Sequence, residues 1–381
     1  AKSGHTDLAL RFGAALWRFW LARGHLAEGR ARLESLSVHA ADAPVELRVR
    51  VQNGLATLRH SEGRIREAWD MLQDTLRTCR THSYESGAAL VLNNLAWVAS
   101  ELSDLDAAET LGREALQANR AVADTRGLAL ALNNLGWTAM YRGNFREARQ
   151  WHAEGLEVRR AIGDRRGVAF ALSNMAWCDA WLGEHERSRA TLQESMSVLL
   201  DVSDRLLLGW ALVVEGVGHY LRGGFEEAVA SLERARRDWG EGGNKSVLAA
   251  SVLYLGLVYA AQRDPDRAAA ALDTALRTYR ELGTTWGIAG TLLGMGLVAC
   301  ERSEHARAIV LIDEALAMRR AAGSRHGIAE CLEVNAQVCL AAGDIEGAYG
   351  LLAEARRIRE DLGTPLPAWR RARLTAAGAA T

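Results

Sequence analysis

The chain repeats itself every 40 residues, and a period of about 20–50 residues is the signature of folds built by stacking like units. Leu92-Asn93-Asn94-Leu95-Ala96-Trp97 returns as Leu132-Asn133-Asn134-Leu135-Gly136-Trp137, and again as Leu172-Ser173-Asn174-Met175-Ala176-Trp177. A small residue recurs in phase at Ala56, Ala96, Gly136, Ala176, Gly216, Gly256, Gly296 and Ala336. Twelve positions on, a second small residue recurs at Ala68, Ala108, Ala148, Ser188, Ala228, Ala268, Ala308 and Ala348. Between the two lies a turn position: Gly63, Ser103, Gly143, Gly183, Gly223, Arg263, Ser303 and Gly343. Four residues past the second small position an apolar side chain follows, except at Gly112 and His152.

Each unit therefore reads as two apolar-periodic helices around a short turn, with small residues facing each other so that the backbones approach closely. A second turn closes the unit, as at Ile162-Gly163-Asp164, where Gly suits a helix C-terminus and Asp the next N-cap. No such pair buries its own apolar face, so neighbours must stack. Composition agrees. Four prolines in 381 residues is far below the average of about 5%, as a chain that is helical almost throughout requires. Hydrophobic residues at 49% and a net charge of −1 describe a soluble globular chain without a basic footprint for nucleic acid. Five scattered cysteines read as reduced thiols of a cytoplasmic protein, and residues 1–30 lack the apolar core of a signal peptide. The start at Ala1, with helical sequence almost at once, suggests a piece of a longer protein. Residues 282–300 carry no charge over a length that could span a membrane. Their five glycines and their phase with the repeat predict a buried helix instead, and no membrane partner.

Leu132-Asn133-Asn134-Leu135-Gly136, followed by Ala139 and Ala148, resembles the tetratricopeptide repeat, which pairs Leu-Gly on helix A with Ala on helix B. The period of 40 exceeds the usual 34 of that repeat, so both helices should be longer. The resemblance implies an all-α fold, a right-handed α-solenoid of helix-turn-helix units. Eight units are expected at about 47–86, 87–126, 127–166, 167–206, 207–246, 247–286, 287–326 and 327–366. Residues 1–46 read as a looser ninth unit, and 367–381 as a tail. The opening Leu16-Trp17-Arg18-Phe19-Trp20 and the ending Leu362-Gly363-Thr364-Pro365-Leu366-Pro367 resemble the C-terminal halves of large actinobacterial regulators. There a STAND-class NTPase, often with a LuxR-type DNA-binding domain, precedes the repeats. That likeness implies a sensor module whose NTPase neighbour lies outside this chain.

Catalysis finds no footing in the sequence. His-Glu-x-x-His, Cys-x-x-Cys and the nucleophile elbow are all missing. Gly240-Glu241-Gly242-Gly243-Asn244-Lys245-Ser246 approaches a phosphate loop, but Asn244 stands where the motif needs Gly. No cofactor and no metal site is expected. Arginine pairs such as Arg159-Arg160 and Arg319-Arg320 end B helices, where cations complement the helix dipole.

By the same resemblance helix A lines the concave side of the array. Aligned lining positions then give Leu90, Leu130, Phe170, Trp210 and Glu330 on one row, Asn93, Asn133 and Glu333 on the next, and Trp97, Trp137 and Trp177 on a third. Tyr141, Trp181 and Tyr220 lie beside them. A tryptophan stripe offers large rigid contact area, and an Asn amide both donates and accepts. Asn93, Trp97, Asn133, Trp137, Tyr141, Phe170, Trp177, Trp181, Trp210 and Tyr220 are thus the candidate groove for a small molecule or peptide. Tryptophans at helical spacing also serve as packing between units, and that reading stands beside the first. Asn94, Asn134 and Asn174 are read as bonds between neighbouring repeats. Few basic residues line the groove, so it is no clamp for an acidic peptide, and Glu330 and Glu333 make its C-terminal end acidic. The expected function is recognition without catalysis: a ligand sensor for the neighbouring NTPase, or a scaffold holding a partner's helix or extended segment.

Overall fold

A computed structural model describes residues 2–38, 40, 43–239 and 245–378. Among them the fold is all α. Helices follow in pairs: α1 (Lys2–Arg23) and α2 (Leu26–Val38), α3 (Val45–Ser61) and α4 (Ile65–Thr81), α5 (Glu85–Glu101) and α6 (Leu105–Ala121). Next come α7 (Thr125–Arg142) and α8 (Phe145–Ala161), α9 (Arg165–Trp181) and α10 (His185–Asp201), α11 (Arg205–Arg222) and α12 (Phe225–Trp239). The series ends with α13 (Lys245–Ala261) and α14 (Pro265–Leu282), α15 (Thr285–Glu301) and α16 (His305–Ala321), α17 (Arg325–Ala342) and α18 (Ile345–Leu362), then a single helix α19 (Ala368–Ala376). Residues 367–381, read from sequence as a tail, thus contribute a helix opened by Pro367, whose fixed φ suits a helix start.

Local chemistry sets the boundaries. Asp104, Asp164, Asp204, Asp264 and Asp344 each accept the backbone N–H three residues on, which satisfies a first-turn donor. All eight turn positions between the helices of a unit take a left-handed backbone, from Arg263 and Ser303 at φ 61° to Gly143 at φ 86°. The small residues of the seam are buried, and Gly216 and Gly256 are needed as glycine: a Cβ there would lie 2.6 and 2.7 Å from the Leu232 and Leu272 side chains.

Two compact units divide the chain, Ala1–Leu135 and Gly136–Thr381, with the boundary inside α7. In the first, α3 packs on both α1 and α5, and Trp17 and Trp20 fill space left by Gly54 and Gly29. In the second, each A helix packs on the next, α9 on α11, α11 on α13, α13 on α15 and α15 on α17, while each B helix packs on the A helix that follows. The uncharged stretch 282–300 forms most of α15, whose Gly294 approaches Leu272. No helix of the described residues is long and apolar enough to cross a membrane.

Candidate functional site

In the first unit the structure places Asn93 and Trp97 on α5 and Asn133 on α7. Asn93 Nδ2 donates to the Gly127 carbonyl at 3.1 Å, and its own carbonyl accepts from Asn134 Nδ2 at 2.7 Å. Asn94 Nδ2 donates to Asn53 Oδ1 at 2.6 Å. These bonds tie successive repeats, as read for Asn94 and Asn134; they commit Asn93 to the same work. Asn93 and Asn133 are buried and Trp97 is half-buried. Leu130, on the first lining row, is 50% exposed, and Leu90 is half-buried.

In the second unit the remaining seven candidates gather in one aromatic cluster. Trp177 stacks on Trp210 at 5.3 Å between centroids, and Trp210 lies 5.4 Å from Trp137. Trp137 also meets Tyr141 at 5.7 Å and Phe170 at 6.4 Å. Trp210 Nε1 donates to Asn174 Oδ1 at 3.0 Å, so the third interrepeat asparagine serves a tryptophan. Trp177, Trp181, Trp210 and Tyr220 are buried, whereas Trp137, Tyr141 and Phe170 are half-buried.

Later repeats of the same unit cover the cluster. Trp286 lies 6.2 Å from Tyr141, and Tyr254 meets Trp177 edge-on at 5.7 Å. Trp181 stacks on Phe145 at 5.8 Å and receives the edge of His326 at 4.7 Å. Ser324 Oγ donates to the Tyr141 carbonyl at 2.7 Å, across 183 residues of sequence. Gly143 sits under His326: a Cβ there would come within 2.3 Å of the His326 Cβ. The second unit therefore winds tightly enough that its A-helix face closes on itself.

Charges follow the closure. Glu333, expected to make the C-terminal end of the groove acidic, is buried and holds Arg359 through both carboxylate oxygens. Arg370 is buried 3.4 Å from Glu333 and 4.0 Å from Glu330. Burial, then Arg359, Arg319 and Arg370, hold the His326 imidazole well below its ordinary range, so it is neutral. Arg159 and Arg319, read as helix-end cations, are also buried: their stems occupy the space that side chains at Gly167 and Gly327 would need.

The C-terminal segment is part of this interior, a role sequence reasoning missed because residues 367–381 fall outside the repeat. Pro365 packs on Gly183, where a Cβ would lie 2.7 Å away. The Trp369 ring lies edge-on to Tyr220 at 5.2 Å and to Phe225 at 5.3 Å, and its Nε1 donates to the Tyr220 carbonyl at 2.9 Å. Arg373 forms an ion pair with Glu301 and donates to the Ala260 carbonyl at 3.4 Å. Leu374 is buried with Ala336, Leu340 and Ala348. Beside the segment lies a cleft of about 490 Å³, lined by Leu352, Ala355, Arg356, Thr364, Leu366 and Arg371 among others.

Among the described residues no three metal-ligating side chains come together. The phosphate-loop-like stretch lies largely outside the described residues, at 240–244. All five cysteines are free, and burial pushes the Cys79 thiol up to about 11 and that of Cys331 to about 12, which makes them poor nucleophiles at neutral pH.

Family models described as tetratricopeptide repeats match residues 127–201 and 89–124. No curated protein matches the sequence. Among solved structures, a Rap protein complexed with Competence and Sporulation Factor is similar at a TM-score of 0.70 and 13% identity, over 93% of this chain and 98% of that one. The Rap conjugation gene regulator of the plasmid pLS20, in complex with a Phr peptide, is similar at 0.62 and 12%, over 98% of both chains. A STAND protein with a tetratricopeptide repeat sensor from Pyrococcus horikoshii is similar at 0.50 and 12%, over 87% of this chain and 51% of that one. At such identities the likeness is one of fold. With the in-phase repeat and the paired helices, these matches lead to one conclusion: residues 89–124 and 127–201 are tetratricopeptide repeats, and the chain has the fold of a tetratricopeptide repeat array lengthened to 40 residues per unit.

Proposed function

We propose that the chain is a non-catalytic recognition domain, taking a peptide or a partner's segment on the A-helix face of its second unit. The observation that carries this reading is that the end of this face, where Tyr220, Glu330 and Glu333 lie, already grips a stretch of polypeptide. Residues 365–374 are held there by backbone carbonyls, an aromatic slot and carboxylates. Half-buried Trp137, Tyr141 and Phe170 are the part within reach of a ligand, over a floor of Trp177, Trp181, Trp210 and Tyr220. In the first unit half-buried Trp97 and Leu90 and exposed Leu130 are further apolar side chains that a ligand could reach. The Rap conjugation gene regulator solved with a Phr peptide and the Rap protein solved with Competence and Sporulation Factor fit this reading, and the STAND protein fits a role as sensor for an NTPase outside this chain. Five unpaired cysteines fit a cytoplasmic setting.

Native mass spectrometry of the chain after incubation with cytosol of its source organism tests the proposal. A peptide-sized adduct, lost in Phe170→Asp while helicity is kept, is the expected result. A protein-sized adduct lost in the same variant would make the domain a scaffold. An adduct that survives the substitution, or none at all, would remove the face from consideration.

A further inference from the structure

We propose that the slot formed by Tyr220, Phe225, Glu301, Glu330 and Glu333 recognises a basic, tryptophan-bearing amphipathic helix, and that α19 is its tethered occupant, exchanged when a free helix of that chemistry arrives. The inference rests on the second unit's face being a peptide surface, and it names the ligand class.

Three observations carry it. First, α19 presents a single face inward. Trp369, Arg370, Arg373 and Leu374 stand at helical spacing and contact the array, whereas Ala368, Arg371, Ala372 and Thr375 are exposed. That pattern is the anchor arrangement of an amphipathic helix laid in a groove. Second, the segment does not stack as another repeat. It runs across the helix ends of successive units, meeting Gly183 through Pro365, Tyr220 through Trp369, then Ala260 and Glu301 through Arg373. A side chain every few residues therefore reads a different repeat, as a bound peptide would. Third, the charges complement each other. Glu301 faces Arg373 and Glu330 faces Arg370 of α19, while Glu333 is shared between Arg370 and Arg359; of these carboxylates Glu301 keeps Oε2 buried without a hydrogen bond. Acceptor capacity thus remains for a ligand richer in donors than α19.

The occupant can leave. Nine residues are too few to hold a helix in water alone, so α19 depends on its side-chain anchors. The cleft of about 490 Å³ leaves room between the segment and the α17–α18 pair. A short tether gives α19 an effective concentration in the millimolar range, which a tighter external helix can overcome.

The test uses the full chain and a fluorescein-labelled synthetic peptide spelling residues 363–378, read by anisotropy. Wild type, with its slot filled, should bind the peptide weakly. Trp369→Ala with Arg373→Ala empties the slot and should bind it at least about tenfold tighter. Adding Glu301→Lys should reverse that gain, and a peptide of scrambled order should not bind. Equal binding by the wild type and the emptied chain, at matched helicity, would overturn the proposal. Hydrogen exchange on the unaltered chain guards against misfolding of the variants: excess unlabelled peptide should speed exchange of amides 368–376, and unchanged protection would also overturn the proposal. Recognition of a cytosolic peptide without this exchange would leave the proposed function standing and remove only the tethered helix. Exchange without any cytosolic adduct would do the reverse.

Discussion

His152 shows how one side chain can work against its own fold. It takes the place that Leu192, Leu232 and Leu272 hold in other units, and Gly136 leaves room for its ring. Both ring nitrogens are buried without a hydrogen bond. Burial, with Arg159 nearby, pushes the imidazole down to about 3, so it is neutral in the folded chain. The unfolded chain takes up that proton at the ordinary 6.5. Stability from this group is therefore complete above about pH 6.5 and declines by roughly 1.4 kcal/mol per pH unit as the pH falls towards about 3. His326, also depressed by burial, adds to the same acid lability. Leucine fits against glycine at this seam in two other units, Gly216 with Leu232 and Gly256 with Leu272. His152→Leu should accordingly stabilise the chain by about 1–3 kcal/mol at neutral pH, the usual cost of a buried unsatisfied group. Urea unfolding at pH 7 and pH 5 checks it. The gain should be larger at pH 5, and an equal gain at both would mean that the ring is not the proton-linked group.

At the scale of the helix pair most of the fold was legible, because stacking makes each unit solve the same packing problem. The small-residue seam and the turn positions predicted from sequence are the buried contacts and the left-handed residues of the structure. One recurring contact went unread. The last turn of a B helix tucks under a glycine in the first turn of the next A helix: Asn119 under Gly127, Arg159 under Gly167, Tyr279 under Gly287, Arg319 under Gly327. The partners range from Asn through Arg to Tyr, so no single residue type marks the contact. The turn itself yields a prediction. Arg263 is exposed and holds φ 61° although it carries a side chain, a conformation that costs a non-glycine roughly 1–2 kcal/mol. Arg263→Gly removes that cost but gives the unfolded chain more freedom, about 0.5–1 kcal/mol. A net gain of about 0.5–1 kcal/mol is expected from urea midpoints at pH 7. A loss would mean that the Arg263 side chain contributes a contact larger than its backbone strain.

Across the second unit, sequence reasoning could place the aromatic residues on one face but not foresee what covers them. Periodicity reports neighbours 40 residues apart. It is silent on Ser324 meeting Tyr141, or His326 meeting Trp181, because such contacts depend on how far each pair rotates against the next. The closure can be measured with glycines that share one turn position. Gly143 and Gly343 have φ 86° and 85°, so alanine strains both backbones equally. At Gly343 nothing lies within 4 Å of an added Cβ, whereas at Gly143 the His326 Cβ would lie 2.3 Å away. Gly343→Ala should therefore cost only the left-handed term, roughly 1–2 kcal/mol. Gly143→Ala should cost that and a further 1–3 kcal/mol or so, the range for overpacking a rigid contact. Because the clash pries His326 from Trp181, acrylamide should quench tryptophan fluorescence more in Gly143→Ala than in Gly343→Ala. Equal costs and equal quenching would mean that the turn before α8 and the start of α17 are not in contact in solution, and that the aromatic face of the second unit stands open to its ligand without any rearrangement.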